Sequence, residues 1–583
     1  MLLSVKVEKI RRDGDFPSCA KTRIVDSTAM KRLCTIAALA LTIPATCYAQ
    51  GAEAPAKEVE VEKYDVNQVI APEISAMNKP KMWKGVGDLN ILIFTPHKEA
   101  QEHVKQGFAL VHASWDVEAY RHFAAALQKD PDCLMAYCGI VMSLINPEHE
   151  WKQYRQAAIE RMLDLAAYKI GEGEDAEYMY PSVERGYASA IGHLVTDGLG
   201  KGSKAFGLLA EKFPQDIQLK LLKAFLSRGR YDAFGNADTR QSTSVDEVKK
   251  ILAENPDNPL ALNFYVMMLI EAPYNAVDLK KDVMPHIEKL LKLSDGKIPT
   301  WHTLNGFANW RIGNLEKAKA AYEQAIAQYE EWMKDSNATI ADADGMMRAL
   351  SFLAVIHYEL GDMESHNAVL KKLAKAKDGR KTSSVYALYA WDYELIEMKL
   401  LLAKGDLASV KKALEVMPKV TDRKNKDKVH YNHVLTGYMS YAQALERILS
   451  GKRAEAQVPA QRLMQIVAKL KEMRKETIAK PYYGHYLLSL NALSVLQYEL
   501  SGIALGKDAT AFDMYKEAIN RQLSESKLFT PVILYPIEHR LGLYYEKKGD
   551  FKSAREEYQK AVNRRPSHQA SQKALEKLKK LIE

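Results

Sequence analysis

Cysteine is scarce in this chain: five residues in 583, at positions 19, 34, 47, 133 and 138. So few in so long a chain exclude a disulfide framework. Beyond residue 50 no apolar run approaches the roughly 18 residues a membrane-crossing helix needs, so no transmembrane segment is expected. Charge of one sign is also lacking. The formal excess is +8, yet residues 1–49 hold eight Lys/Arg against four Asp/Glu and so carry half of it. The remainder, spread with interspersed signs, describes a solvated surface and no nucleic-acid footprint. Equally missing are a His-Glu-x-x-His pair, a Gly-x-Ser-x-Gly elbow, a phosphate-cradling glycine loop and a Cys-x-x-Cys pair. No catalytic residue, metal ligand set or cofactor is expected.

What is present begins at Met30. Lys31 and Arg32 precede an apolar run from Leu33 to about Ala45, and Cys47 and Ala49 place small residues at −3 and −1 of a cut before Gln50. That is the layout of a secretory signal peptide, Met30–Ala49, which predicts a periplasmic or secreted protein. Residues 1–29 are then expected to be an extension from an upstream start codon. Residues 50–88, rich in Glu, Lys, Val, Ala and Pro, are expected to be a linker or a loosely ordered arm. Of the two remaining cysteines, both are expected to be buried thiols, with a local Cys133–Cys138 bridge as the alternative.

The stretch "GFALVHASWDVEAYRHFAAALQKDP" (107–131) carries two histidines and several aromatics, but its spacing is more informative than its chemistry. Gly107, Ala119, Phe123, Ala126 and Pro131 stand 12, 4, 3 and 5 residues apart. Gly542, Ala554, Tyr558, Ala561 and Pro566 repeat the same intervals, and Gly306, Ala318, Tyr322 and Ala325 repeat the first three. Small residues at these points let two helices cross closely, while the aromatic fills the gap beside them. Gly313 and Gly549 can close a first helix in the left-handed conformation, and Pro131 or Pro566 stops the second. The ruler is that of the tetratricopeptide repeat, a helix–turn–helix unit of about 34 residues that must stack on neighbours to bury its apolar face. On this reading His112 and His122 are ordinary packing or surface residues rather than a metal or catalytic pair.

Weaker copies occupy the intervening chain: Gly506, Ala511, Tyr515 and Ala518; "YELGDMESHNAVLKKL"; and "LAKGDLASVKKAL". The polar run near 229–244 predicts a loop, and Ser244-Val-Asp-Glu247 has the capping-box spacing that restarts a helix. The terminal "HQASQKALEKLKKLIE" predicts a capping helix with a charged outer face. The expected fold is an all-α solenoid of such hairpins in a right-handed superhelix, divided into 89–335 and 336–583, with the capping helix at its end.

Four segments, "PHKEAQEHVKQGFAL", "FAAALQKDPDCLMAYCGIVMSL", "LAENPDNPLALNFYVMML" and "NWRIGNLEKAKAAYEQAI", lie between about residues 95 and 330. They resemble a bacterial family of exported tetratricopeptide-repeat proteins. The family carries several histidines in these segments and a tryptophan before one glycine. Here Asn258, Asn263 and Met267 line the Asn-Pro segment, and Cys138 precedes Gly139. The resemblance implies the fold and leaves the function open.

A scaffold of this kind binds partners along the concave face made by its first helices. The side chains expected there are Phe108 and His112 in the first unit, Thr303, Phe307, Trp310 and Arg311 in the central one, and His539 and Arg540 in the last. Aromatic and arginine side chains are the types that anchor partners. His430 and His433, three apart on one helix face, are the best metal-like pair, but no third ligand is visible. The expected function is non-catalytic: an exported scaffold holding a protein or peptide partner in its groove. The alternatives are a self-assembling envelope protein and a metal-binding protein or enzyme.

Overall fold

The repeated glycines and aromatics meet as the ruler requires. A Cβ on Gly107 would lie 2.6 Å from the Phe123 ring, one on Gly306 2.8 Å from Tyr322, and one on Gly542 2.5 Å from Tyr558. Gly139, on the next first helix, abuts the same Phe123 ring, so that ring joins two successive hairpins. This is the computed structural model of the chain, and it describes residues 64–87, 89–91, 93–145, 150–232, 235–381, 383, 385–386, 391, 393–418, 428–478, 480, 482–523, 530–531 and 533–582. The segments expected to be a signal peptide (Met30–Ala49) and an upstream extension (1–29) lie outside the described residues.

The first five hairpins are α1 (Lys98–His112) with α2 (Asp116–Lys129), α3 (Leu134–Ser143) with α4 (Lys152–Ala167), α5 (Ser182–Asp197) with α6 (Leu199–Lys212), α7 (Ile217–Ser227) with α8 (Thr239–Glu254), and α9 (Pro259–Leu269) with α10 (Met284–Leu293). The central ones are α11 (Pro299–Arg311) with α12 (Leu315–Ser336) and α13 (Asp344–Leu360) with α14 (Met363–Ala374). Then follow α15 (Ile396–Lys404) with α16 (Leu407–Val416), α17 (Val429–Leu449) with α18 (Gln457–Thr477), α19 (Tyr483–Leu505) with α20 (Thr510–Leu523), and α21 (Ile537–Lys548) with α22 (Phe551–Arg564). The last helix, α23 (Gln569–Ile582), covers Tyr558 and Ala554 with Leu575 and Leu578 and turns its lysines to water. A small antiparallel hairpin, β1 (Lys169–Ile170) and β2 (Glu177–Tyr178), interrupts the helices between α4 and α5.

Turn chemistry explains where the hairpins bend. Gly361, Gly405 and Gly549 end α13, α15 and α21 at φ of 79, 69 and 81°. The next residue is an aspartate each time, and its carboxylate accepts the backbone N–H of Ser365, Ser409 or Ser553 to cap the following helix. Gly506 serves the turn after α19, at φ 67°, while Gly502 is the residue that meets the Tyr515 ring at 2.8 Å.

Three expectations change. Helix α8 starts five residues before Ser244, because Asp238 accepts the Gln241 N–H at 2.8 Å and caps it earlier; Ser244 is buried inside the helix. The arm expected to be loose over 50–88 packs from Tyr64 onward: Val69, Ile70 and Ala71 are buried, and the Tyr120 hydroxyl bonds the Val69 carbonyl at 2.7 Å and the Ala71 amide at 2.9 Å. Residues 50–63 lie outside the described residues. Finally, the buried core runs across the division at 335/336. Phe352 of α13 stacks on Tyr322 of α12 at 5.3 Å, and one cluster extends from Val69 to Leu400. A second runs from Trp391 to Tyr544, and the two meet at α15, which gives Ile396 and Leu400 to the first and Met398, Leu401 and Leu402 to the second, while Leu534 also belongs to the first.

Replacing Gly306 with Ala should lower the urea midpoint by an amount equivalent to about 1–3 kcal/mol, because the added methyl presses on Tyr322. Gly200→Ala in α6, where a methyl meets nothing within 4 Å, should leave stability equal or raise it by up to about 1 kcal/mol. Equilibrium denaturation followed by circular dichroism checks both.

Candidate functional site

The first helices of five successive hairpins, α1, α3, α5, α7 and α9, surround a narrow cleft on the inner face of the N-terminal turn. Its wall is apolar: Met142, Leu194, Leu222, Phe225, Phe264 and Met267. The space open to water-sized spheres is about 20 Å³, little more than one water. The turn is tight because its ends are tied together. The Asn263 amide donates to the His112 carbonyl, and Thr300 Oγ1 donates to the Ala113 carbonyl at 2.7 Å. On the outer side, Trp332 Nε1 and Trp83 Nε1 donate to the buried Glu118 carboxylate at 2.7 and 2.9 Å, and Arg121 pairs with it.

His112 lines this cleft and heads a buried hydrogen-bond chain. Gln218 Nε2 donates to the Tyr187 hydroxyl at 3.2 Å, and Tyr187 donates to Asp216 Oδ2 at 2.7 Å. With the Gln218 amide committed, its Oε1 must accept from His112 Nε2, 3.1 Å away, which leaves Nδ1 as an acceptor. Burial pulls the His112 pKa down to about 4, so the ring is neutral. Burial also pushes the Asp216 carboxyl up to about 6.

The other sequence-chosen residues separate into three surroundings. Phe108 and Phe307 are core side chains, each 1% exposed; Phe108 meets Phe123 edge-on at 5.1 Å and Phe307 meets Phe352 at 5.8 Å. In this conformation neither ring is available to a partner, because the aromatic of the same or next hairpin already covers it. Thr303 is half-buried and donates to the Pro299 carbonyl at 3.2 Å. Arg311 donates to the Ile270 and Ala272 carbonyls at 2.7 and 2.8 Å, and burial lowers its pKa to about 10.

Trp310, in contrast, is brought together with the far end of the chain. The Arg565 guanidinium lies over its ring at 5.1 Å and pairs with Glu359. Ser567 Oγ also donates to Glu359 at 3.2 Å, and Pro566 packs on Gly313. Trp310, expected to face a groove, is thus covered by the chain's own α22–α23 turn. Within the last hairpin His539 Nδ1 faces Ser571 Oγ at 3.2 Å and its ring meets Tyr558 and His568, with burial lowering its pKa to about 4. Arg540 Nε donates to Glu499 at 2.8 Å, and Tyr441 and Tyr535 complete that carboxylate's bonds at 2.9 and 2.5 Å. Burial opposes the Arg540 charge, but Glu499 with Tyr535 and Tyr441 beside it more than offsets burial and raises the pKa.

No third ligand joins His430 and His433: among the described residues no three His, Cys, Asp or Glu side chains cluster to hold a metal ion. His430 Nδ1 meets the Tyr482 hydroxyl at 2.9 Å, while burial and then Lys469 hold the His433 pKa down. Cys133 and Cys138 are buried and unbridged, their thiols pushed well up by burial.

The tetratricopeptide-repeat model matches residues 306–331, within α11–α12, and residues 539–568, which span most of α21 and all of α22. The chain carries tetratricopeptide repeats. The matched repeats are two of the three in which the five-point spacing is strongest. Among solved structures the tetratricopeptide-repeat domain of P58(IPK) is similar at 14% identity, over 83% of this chain and 98% of that one, with a TM-score of 0.17. No curated protein matches the chain.

Glu184, at the start of α5, accepts the Phe94 N–H and is fully buried; burial pushes its carboxyl up to about 8 from an ordinary 4.5. The folded chain therefore holds a proton there that the unfolded chain loses. That contribution is complete below about pH 4.5 and disappears as pH rises through about 8. Stability should fall across this interval, and Glu184→Gln should flatten the fall, read as denaturation midpoints measured from pH 5 to 8.

Proposed function

We propose that the protein is an exported, non-catalytic scaffold that holds a protein or peptide partner along the inner face of its repeats. The observation that carries this reading is the apolar cleft walled by five consecutive first helices, with neutral, acceptor-bearing His112 as the polar group that registers a bound chain. A preformed wall of this kind spares a partner the cost of ordering the site. The cleft as it stands admits only the tip of a side chain, so binding widens it or uses its mouth, where Met267, Ile145 and Ser114 are partly exposed. The export half of the reading rests on the signal layout at Met30–Ala49.

The central residues Trp310 and Arg311 have a different place in this reading. Arg311 ties α11 to the end of α9, and Trp310 is covered by Arg565, so a partner reaches them only if the α22–α23 turn moves away.

The chain from Gln50 onward, crosslinked in the envelope fraction of its own cells, should enrich one partner. Met267→Glu, which sets a charge at the mouth of the cleft, should cut that capture at least tenfold, about 1.4 kcal/mol or more of binding, with the circular dichroism spectrum unchanged. Equal capture by both forms would remove the inner face from consideration.

A further inference from the structure

The hairpin of β1 and β2 has no place in the repeat pattern, and its tip is strongly acidic. Glu172, Glu174, Asp175 and Glu177 are all exposed, and none has an ion-pair partner among the described residues. Beside them Tyr168 and Ile170 stay 40 and 50% exposed. The base is firmly held: the Met179 N–H donates to the Tyr168 carbonyl at 3.1 Å, and the Arg185 guanidinium lies over the Tyr178 ring at 3.8 Å. A rigid stalk therefore presents carboxylates and two apolar side chains to the outside.

The opposite combination lies on the outer face of α18. Arg462, Lys471 and Lys475 are exposed there without an ion-pair partner among the described residues, and Val458 and Met464 are exposed at 65 and 52%. The two faces sit in halves of opposite charge. Residues 64–335 contain 31 Lys/Arg and 37 Asp/Glu, a net −6, whereas residues 336–583 contain 41 and 29, a net +12.

We propose that a second copy of this chain seats its acidic hairpin on the basic outer face of α18, joining copies head to tail. Apolar side chains at the edge of each charged patch, Ile170 and Tyr168 on one and Val458 and Met464 on the other, give the contact area to bury, and the opposite charges orient it. A lipid surface fits α18 less well. The middle of its exposed face carries Gln461, Gln465 and Glu472 rather than an apolar stripe, and Glu472 already takes Lys469 at 3.4 Å. The contact is heterologous, so each joined pair keeps one free hairpin and one free α18 face, and growth continues until a ring closes. The site is separate from the inner cleft and does not depend on the partner reading above.

The test uses the protein in the form its cells produce. Its mass is followed by light scattering and sedimentation over a hundredfold range of concentration, at about 0.05 M and about 0.5 M salt, because exposed charge pairs are screened over a few ångströms at the higher value. The mean mass should at least double with concentration at low salt and return to a single copy at high salt. A hairpin reversal (Glu174→Lys with Asp175→Lys) and an α18 reversal (Lys471→Glu with Lys475→Glu) should each stay single, and an equimolar mixture of the two should associate again. The substitutions lie in exposed side chains, so circular dichroism should match the parent. A parent that remains single at low salt, or reversals that leave its mass unchanged, overturns the proposal. So does a single-copy parent that floats with phosphatidylglycerol vesicles and loses this on the α18 reversal, which would assign the face to lipid.

Discussion

A ring lying against a glycine is the contact on which the other features of this molecule depend. Phe123 on Gly107 and Gly139, Tyr322 on Gly306 and Tyr558 on Gly542 set how closely two helices of a hairpin approach. Once that distance is set, the alanines at 119, 318 and 554 are buried completely, and each hairpin presents an apolar side to the next. One hairpin cannot bury that side alone, so stacking is obligatory and the solenoid propagates. A side chain in place of these glycines would open the hairpin and tilt every unit beyond it. The same logic explains why the ring positions accept Phe or Tyr: the demand is for a flat, rigid filler, and the Tyr558 hydroxyl has Glu546 as a partner while Phe123 needs none.

Stacking alone does not say how tightly the superhelix winds, and here polar side chains between distant hairpins do that work. Asn263, Thr300 and Trp332 tie the fifth and sixth hairpins to the first, and Arg565 ties the end of the chain to Trp310 and Glu359. Several of these groups are charged and buried, as Glu118 with Arg121 and Glu499 with Arg540 are. A buried pair of this kind adds little net stability over an apolar one, but it penalises severely any arrangement that separates it. The consequence for function is a narrow inner cleft and a covered Trp310. The accessible character of the molecule accordingly moves outward, to the acidic hairpin and the basic outer helices.

The repeat was legible because it is written in near-neighbour spacing. Gly107 to Phe123 is one helix, one turn and part of another, and the ring and the glycine that meet are always sixteen residues apart in the strong copies. Turn glycines and the capping helix were legible for the same reason. Weaker local signals competed at the edges: Asp238 and Ser244 both suit an N-cap, and the earlier one prevails because its carboxylate reaches the Gln241 amide. Nothing local in the run at 172–177 marks it as a two-stranded stalk rather than a loop.

The candidate groove residues were legible only as helix positions. Spacing on α1 and α11 placed Phe108, His112, Phe307, Trp310 and Arg311 toward the inner side, but which of them meets another hairpin depends on residues 39 to 255 positions away. His112 finds Gln218, and Trp310 finds Arg565. By itself the sequence determined the helical hairpin, its turns and its need to stack, since each follows from steric fit and capping within about 34 residues. Only the tertiary structure decided the pitch of the winding, the closure of the inner cleft and the covering of Trp310. Those rest on contacts between units far apart in the chain, where no periodicity constrains the partner and the outcome is set by which buried polar groups find each other.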